Sequence, residues 1–302
     1  MLIDYFPFFN EKELLELRIN LLKDHVDQFV IVEANKSFTG RPRDFIVKKT
    51  IKELGLPESK IRVIELVYPE DINDIPLEVH DLLSMFPEDK SDVVSIVDLA
   101  RERMQRNGIM SILDDYQDDD WFIMSDCDEM LNPNHLNFAF NVAKNTPNSF
   151  VKLPLINLYG EADLRPFYSG NVPFTWRDAM TLCKKSLLKQ TTPHRIRCGY
   201  HLPYGCVYPT LSGKIFDEFG WHFSWMGDIA RRKLKSDSYA HANNVGHKAN
   251  FKNGFDIFKE GNSLPWSPGS VLKKFPHSEL PKLIFELPRV REFMLPGYQK
   301  EM

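Results

Sequence analysis

Cysteine is scarce in this chain. Its four cysteines, at 127, 183, 198 and 206 of 302 residues, include no C-x-x-C pair. That spacing argues against a zinc site or a disulfide framework and fits a reducing compartment. Positive charge is not in excess either: 38 Lys and Arg stand against 42 Asp and Glu, a net charge of −4. No global basic field is present to draw in nucleic acid. No stretch approaches the roughly 20 apolar residues of a membrane span. The opening Met1-Leu-Ile-Asp-Tyr-Phe-Pro lacks a basic region and a long apolar run, so no signal peptide is expected. Internal repeats and low-complexity tracts are also missing. These absences point to a soluble, cytoplasmic globular protein without a membrane span.

What is present in the amino-terminal half is an alternation of strand and helix. Asn10 and Glu13 have capping-box spacing, and Leu14, Leu17 and Leu21 recur at helical spacing behind them. Gln28 to Glu33 reads as a strand and Asp44 to Leu54 as a helix stopped by Gly55 and Pro57. Ile61 to Val67 reads as the next strand, Val93 to Leu113 as a third helix, and Pro133 to Ala143 as another helix. This order predicts an α/β fold with a mostly parallel central sheet and helices on both faces. The acidic, proline-bearing segment 69–90 interrupts it and reads as an insertion or lid. After Phe150, short segments at 151–159, 180–188, 200–208 and 214–216 look like strands, some of them antiparallel, and 228–239 reads as a basic helix. The tail, rich in proline and aromatics, is expected to wrap the core.

The most informative segment is Trp121-Phe-Ile-Met-Ser-Asp126-Cys127-Asp128-Glu129-Met130. Its continuous apolar start is that of a strand covered on both faces. Asp126 and Asp128 then fall at the carboxyl end, where ligands bind in open α/β sheets. Two carboxylates one residue apart can hold a hard divalent cation through oxygen and leave positions open for phosphate oxygens. A metal held there neutralises a departing diphosphate as a Lewis acid. A second acidic cluster, Asp118-Asp119-Asp120, precedes the strand and reads as a solvated turn.

Four segments together resemble glycosyltransferase family 17. They are Asp4-Tyr-Phe-Pro-Phe-Phe-Asn-Glu11 with Leu14 to Arg18; Val26 to Asn35 running on through Phe38-Thr-Gly-Arg-Pro42; Glu102 to Asn107 followed by Asp119-Asp120 and Ser125 to Met130; and Gly220-Trp-His-Phe-Ser-Trp225 with Ser238-Tyr-Ala-His241. Their order and spacing also match, over roughly residues 3 to 245. The resemblance implies a single GT-A type domain over 1–302. Residues 1–130 form its nucleotide-sugar half, 131–245 its smaller acceptor-binding half, and 246–302 a carboxyl-terminal wrap. It implies metal-dependent, inverting transfer from a nucleotide sugar to a glycan acceptor hydroxyl. N-acetylglucosamine from a UDP-sugar is the default, and a GDP-sugar is the alternative donor. The cation would be Mn²⁺ or Mg²⁺.

On this resemblance Asp128 is the metal ligand, Asp126 meets the ribose or the metal through water, and His222 is a further metal or pyrophosphate ligand. Glu33 and Asn35 fall near base and ribose, Arg41 near the phosphates, and Gln105 and Arg106 face the site, where a guanidinium can hold a diphosphate. Trp225 forms the floor of the sugar site, and Arg231 is a candidate clamp on the leaving group. Glu129 is expected to turn away from Asp128 and to pair with an arginine. Inversion needs a base for the acceptor hydroxyl. Asp178, Glu161 and Asp163 are the candidates, in the stretch 158–181, which diverges most from the family and carries Trp176 as a sugar platform. Two other functions stand as alternatives: a metal-dependent phosphohydrolase or nucleotidyltransferase, which also places aspartates at strand ends, and an inactive carbohydrate-binding protein, which the aromatic content of 12% suits and the intact Asp126 and Asp128 argue against.

Overall fold

A computed structural model describes residues 1–70, 96–199, 202, 204–210, 218–240, 242, 251 and 254–298. The described strands are β1 (Leu2–Phe8), β2 (Gln28–Ala34), β3 (Ile61–Leu66), β4 (Trp121–Met124), β5 (Glu129–Leu131), β6 (Ser149–Tyr159), β7 (Leu164–Tyr168), β8 (Val172–Pro173), β9 (Thr175–Lys184), β10 (Gly205–Val207), β11 (Gly220–Ser224) and β12 (Val271–Lys274). Nine build one sheet in the order β3-β2-β1-β4-β9-β6-β11-β5, with β10 also paired to β6. Neighbours run parallel except where β9 meets β4 and β6 and where β5 meets β11. The predicted mostly parallel α/β sheet is therefore present. A second, three-stranded sheet, β12-β7-β8, stands apart from it.

The central strand, β1, has no counterpart among the predicted strands. Its seven residues include Asp4 and Pro7, a charge and a helix- and ladder-breaking residue that mask a strand signature. Alternation still governs it. Leu2, Phe6 and Phe8 enter the core on one face, and Ile3 and Tyr5 enter the core on the other. The first face is covered by helices α1 (Lys12–Leu22) and α2 (Val47–Glu53). The second is covered by α3 (Ile96–Arg106) and the 3-10 turns at 108–115.

Three helical details differ from prediction. The cap of α1 falls on Glu11, whose carboxylate accepts from the backbone N–H of Phe9 and Asn10 at 2.9 and 3.1 Å, so Asn10 and Glu13 form no capping box. The third helix ends at Arg106 and gives way to 3-10 turns from Gly108, which sits hard against Val32, where an added Cβ would lie 2.9 Å from a methyl carbon. Residues 93–95 of that prediction, and most of the insertion at 69–90, lie outside the described residues. The stretch read as a strand over 180–188 is β9 up to Lys184 and then the short helix α5 (Lys185–Leu188).

The remaining helices follow expectation more closely. Asn132 caps the turn at Pro133 that leads into α4 (Leu136–Asn145). Asp228 caps the basic helix α7 (Ile229–Ser238), its Oδ1 accepting from Arg231 N at 2.8 Å. Between them, α6 (Pro193–Cys198) starts at Thr192 and ends on Gly199 at φ +71°. The strand expected over 200–208 is reduced to β10, parallel to β6, and 214–216 lies outside the described residues. In the tail, α8 (Leu283–Glu286) and α9 (Pro288–Met294) bury Ile284, Val290 and Met294 in the same core as the leucines of α1. Among the described residues no helix is long and apolar enough to cross a membrane.

Candidate active site

Strands β1 and β4 lie side by side and parallel, so both carboxyl ends open onto the same edge of the sheet. The chain leaves β4 at Met124, turns through Ser125–Asp128 and enters β5 at Glu129. Arg18 holds this turn from beneath. Its guanidinium is fully buried and donates to both oxygens of the equally buried Asp4, at 2.8 and 2.6 Å. It also donates to the backbone carbonyls of Asp126 and Glu129, each at 2.7 Å, and to Ser125 Oγ at 2.8 Å. One side chain of α1 thus ties β1 to both ends of the carboxylate turn.

The three carboxylates have different neighbours. Asp126 receives Arg106 in a forked contact, at 3.2 and 2.9 Å, and Arg197 at 2.8 Å. Burial would raise its carboxyl, but Arg106 and Arg197 outweigh that and hold it far below the usual carboxylate range. Glu129 is fully buried. Oε1 accepts from Trp176 Nε1 at 2.8 Å and Arg197 at 2.9 Å, while Oε2 accepts from Arg197 at 2.9 Å and Asp126 N at 2.8 Å. Asp128 accepts from Lys235 of α7 at 2.8 Å through Oδ2. Burial opposes ionisation there too, yet the Lys235 ammonium keeps the Asp128 carboxyl lowered.

The expected turning away of Glu129 does not occur. The chain goes from β4 into a strand, not a helix, and β5 runs antiparallel to β11 with Glu129 opposite His222. Directly opposed side chains in such a pair are close neighbours. Oxygen atoms of Asp128 and Glu129 and a ring nitrogen of His222 therefore gather within 4.8 Å of one another. The predicted pairing of Glu129 with an arginine is present, through Arg197. His222 is buried, its Nε2 lies 3.8 Å from Asp128 Oδ2, and its Nδ1 has no partner among the described residues. Burial lowers its pKa against the pull of Asp128 and Glu129, which favours the neutral ring that a metal requires. The Trp176 ring lies 5.0 Å from it. Carboxylate and imidazole donors with one buried nitrogen unpaired fit a divalent ion of the Mn²⁺ or Mg²⁺ type.

Other predicted site residues have structural partners. Glu33 is fully buried and accepts from the N–H groups of Ile46 and Val47, each at 2.9 Å, at the start of α2, with Arg43 at 3.3 Å. Gln105 is buried and donates to the carbonyls of Phe8 and Val32 at 3.1 and 2.9 Å, tying the ends of β1 and β2. Asn35 accepts from Tyr68 N at 2.9 Å through its side chain. Arg41 is exposed and lies 3.7 Å from Asp237. Arg231 donates to the carbonyl of Asn10, holding the loop after β1. Trp225 adopts φ +59°, rare for a bulky residue, and stacks in an aromatic group with Phe251, Phe258 and Trp266.

Of the base candidates, Asp163 accepts from Lys274 at 3.0 and 2.8 Å and lies 3.2 Å from His277 Nε2. Glu161 is 3.6 Å from the same lysine. Asp178 belongs to β9, and its side chain lies outside the described residues. Asp118 and Asp119 form the expected exposed turn, paired with Lys189 and Lys184, whereas Asp120 is not solvated: it is buried and accepts from the amino group of Met1 at 2.5 Å.

Two cations at the site, Arg197 and Lys235, were not among the predicted residues. Lys235 lies one helical turn after Arg231, so a helical projection of the basic segment could have found it. No local signal marks Arg197, which arrives from α6 through tertiary folding. Beside these charges a pocket opens, lined by Tyr5, Arg106, Asp126, Thr181 and Arg197 among others.

Carboxylates and paired arginines gathered at the strand ends of an α/β sheet can bind charged, oxygen-rich groups. The chain belongs to glycosyltransferase family 17, whose model matches residues 1–158, and it is a glycosyltransferase. No curated protein matches it. Among solved structures it is similar to a 4-diphosphocytidyl-2C-methyl-D-erythritol synthase, at 14% identity and a TM-score of 0.37 over 68% of this chain and 88% of the other. It is also similar to mannose-6-phosphate isomerase from Helicobacter pylori, at 10% identity and 0.35 over 62% and 74%. A third is S. aureus TarS 1-349, at 14% identity and 0.35 over 63% and 48%. At these scores the likenesses carry no argument.

Proposed function

We propose that this glycosyltransferase moves a sugar from a nucleotide diphosphate donor to a glycan hydroxyl, with inversion and with a divalent cation. The observation that carries this reading is the gathering of Asp128, Glu129 and His222 beside Asp126, at the carboxyl end of β4. A UDP-sugar, with N-acetylglucosamine as the default, is the proposed donor, and a GDP-sugar the alternative. Asp128 and His222 would hold Mn²⁺ or Mg²⁺, which supplies Lewis-acid neutralisation of the departing diphosphate. Asp126, fixed by Arg106 and Arg197, lines the pocket in which we place the nucleotide. Glu129 has both oxygens occupied by Trp176, Arg197 and Asp126 N, so we assign it to orienting these groups. Glu33 and Gln105 shape the nucleotide half through the backbone they bind.

The base that takes the acceptor proton is assigned to Asp178 or Glu161, since Asp163 is engaged by Lys274 and His277. In this reading residues 1–130 bind the donor, 131–245 bind the acceptor and 246–302 wrap the core. The cytoplasm is the proposed location, supported by the scarcity of cysteine and the lack of C-x-x-C spacing.

The test is a thermal-shift and calorimetric comparison of UDP, GDP and their sugars with and without Mn²⁺. A ligand selective for the native state raises Tm. Asp128→Asn should remove metal-dependent nucleotide binding and leave the unliganded Tm within a few degrees. Asp178→Asn or Glu161→Gln should lower transfer by about 10²–10⁴ with donor affinity kept. Nucleotide binding unchanged by a chelator and by Asp128→Asn would reject the metal-dependent reading. Release of free phosphate from simple phosphomonoesters would favour a phosphohydrolase.

A further inference from the structure

Helix α7 carries four cations on one side of the site, and two of them are committed to the backbone. Arg231 is bound to the carbonyl of Asn10. Arg232 donates to the carbonyls of Trp225 and Gly160 at 3.1 and 3.0 Å. Lys235 alone among the described cations of this helix meets a site carboxylate. Its ammonium lies 2.8 Å from Asp128 Oδ2, the same oxygen that lies 3.8 Å from His222 Nε2. The side chain is 34% exposed while that of Asp128 is 11% exposed, so the lysine stands at the rim and the aspartate beneath it. Its ammonium also sits 5.7 Å from the centre of the Trp225 ring.

We propose that Lys235 is a place-holding cation: it occupies the metal-facing oxygen of Asp128 until a nucleoside diphosphate arrives, and then passes to the diphosphate as a divalent ion takes its place. The inference rests on the reading of this cluster as a nucleotide-sugar site. Its physical basis is direct. A divalent ion approaching Asp128 alone meets the positive charge of Lys235 at contact distance, in a setting less screening than water. A diphosphate removes that conflict, because it offers the ammonium a second anionic partner. Lysine suits the part: its charge is compact and its four-carbon stem can swing, whereas an arginine would be held by its planar fork. The two ligands then favour each other's binding by the same factor, as linkage demands.

The experiment is a Mn²⁺ titration of the full chain, read by the electron paramagnetic resonance of the free ion, with and without UDP. Wild type should bind Mn²⁺ weakly alone and more tightly with UDP. Lys235→Met should bind Mn²⁺ alone at least about tenfold more tightly than wild type, and UDP without metal more weakly. Lys235→Arg, which keeps the charge, should not tighten the ion; circular dichroism confirms that each variant is folded. Mn²⁺ binding to Lys235→Met no tighter than to wild type, or to neither protein, would overturn the proposal. If UDP binding depends on Mn²⁺ and Asp128 but ignores Lys235, the proposal fails and the nucleotide-sugar reading stands. If UDP binds neither protein while Lys235→Met tightens Mn²⁺, the place-holding half stands and the diphosphate half falls with the reading beneath it.

Discussion

Arg18 offers the most demanding test of how the carboxylate turn is built. Replacing it with methionine keeps the apolar stem and removes the guanidinium. Asp4, whose side chain is 0% exposed, then loses its counter-charge. Breaking one partner out of a buried ion pair costs about 3–5 kcal/mol. The carbonyls of Asp126 and Glu129 also lose their donor, and an unsatisfied buried group costs about 1–3 kcal/mol. These losses share one side chain and do not simply add. We expect Arg18→Met to destabilise by about 4 kcal/mol, a large part of the roughly 5–15 kcal/mol of a typical native protein. The assay is urea unfolding followed by tryptophan fluorescence, with the slope compared so that a shift in midpoint is read as stability. Asp4→Leu combined with Arg18→Met removes the orphan charge and should recover part of the loss. A loss below about 1 kcal/mol for Arg18→Met would refute the argument, as would a double variant no better than the single one.

Two more predictions concern a buried histidine and the cysteines. His194 is held neutral, its pKa pushed down from 6.5 to about 3 by burial and then by Arg106, Arg103 and Arg197. The unfolded chain binds this proton more readily, so the stabilisation is complete above pH 6.5 and is lost as pH falls from there to about 3. His194→Gln should flatten the urea midpoint across that window, by up to about 1.4 kcal/mol per pH unit; parallel profiles for the two proteins would contradict the assignment. Cys198 and Cys206 are exposed while Cys127 and Cys183 are buried. A thiol reagent should label two groups in the native protein and four after denaturation, and fewer than four would count against the reducing compartment.

The part of the site written in one continuous segment is legible from the order of its residues alone. Trp121 to Met124 is apolar on both faces because it is covered on both faces, and its aspartates follow without interruption. Legibility ends where a position depends on a partner distant in the chain. Asp4 and Pro7 hide the central strand because Arg18, which makes Asp4 tolerable there, lies on another element. Glu129 meets His222 only because β5 pairs with β11, and no local pattern announces that pairing. Arg197 comes from a six-residue helix with no periodic signature. Gln105 shows the converse: motif membership suggested a ligand contact, while burial and two backbone carbonyls make it a tie between strands.

The place of β9 has a consequence for how this chain can be cut. Residues 1–158, the segment that the family model spans, stop just short of the end of β6. Yet β6 is not paired with β4; β9, at 175–184, lies between them and pairs with both. A fragment ending at 158 would keep the four strands β3-β2-β1-β4 but leave β4 with an open edge and β5 and β6 with no partner strand at all. Such edges recruit other chains. The fragment should therefore aggregate instead of folding as a smaller enzyme, and extension through Lys184 is the first point at which β9 can join β4 to β6. During synthesis the same holds in time: β4 and β6 must wait unjoined for β9, which emerges after both, and β6 and β5 wait longer still for β11.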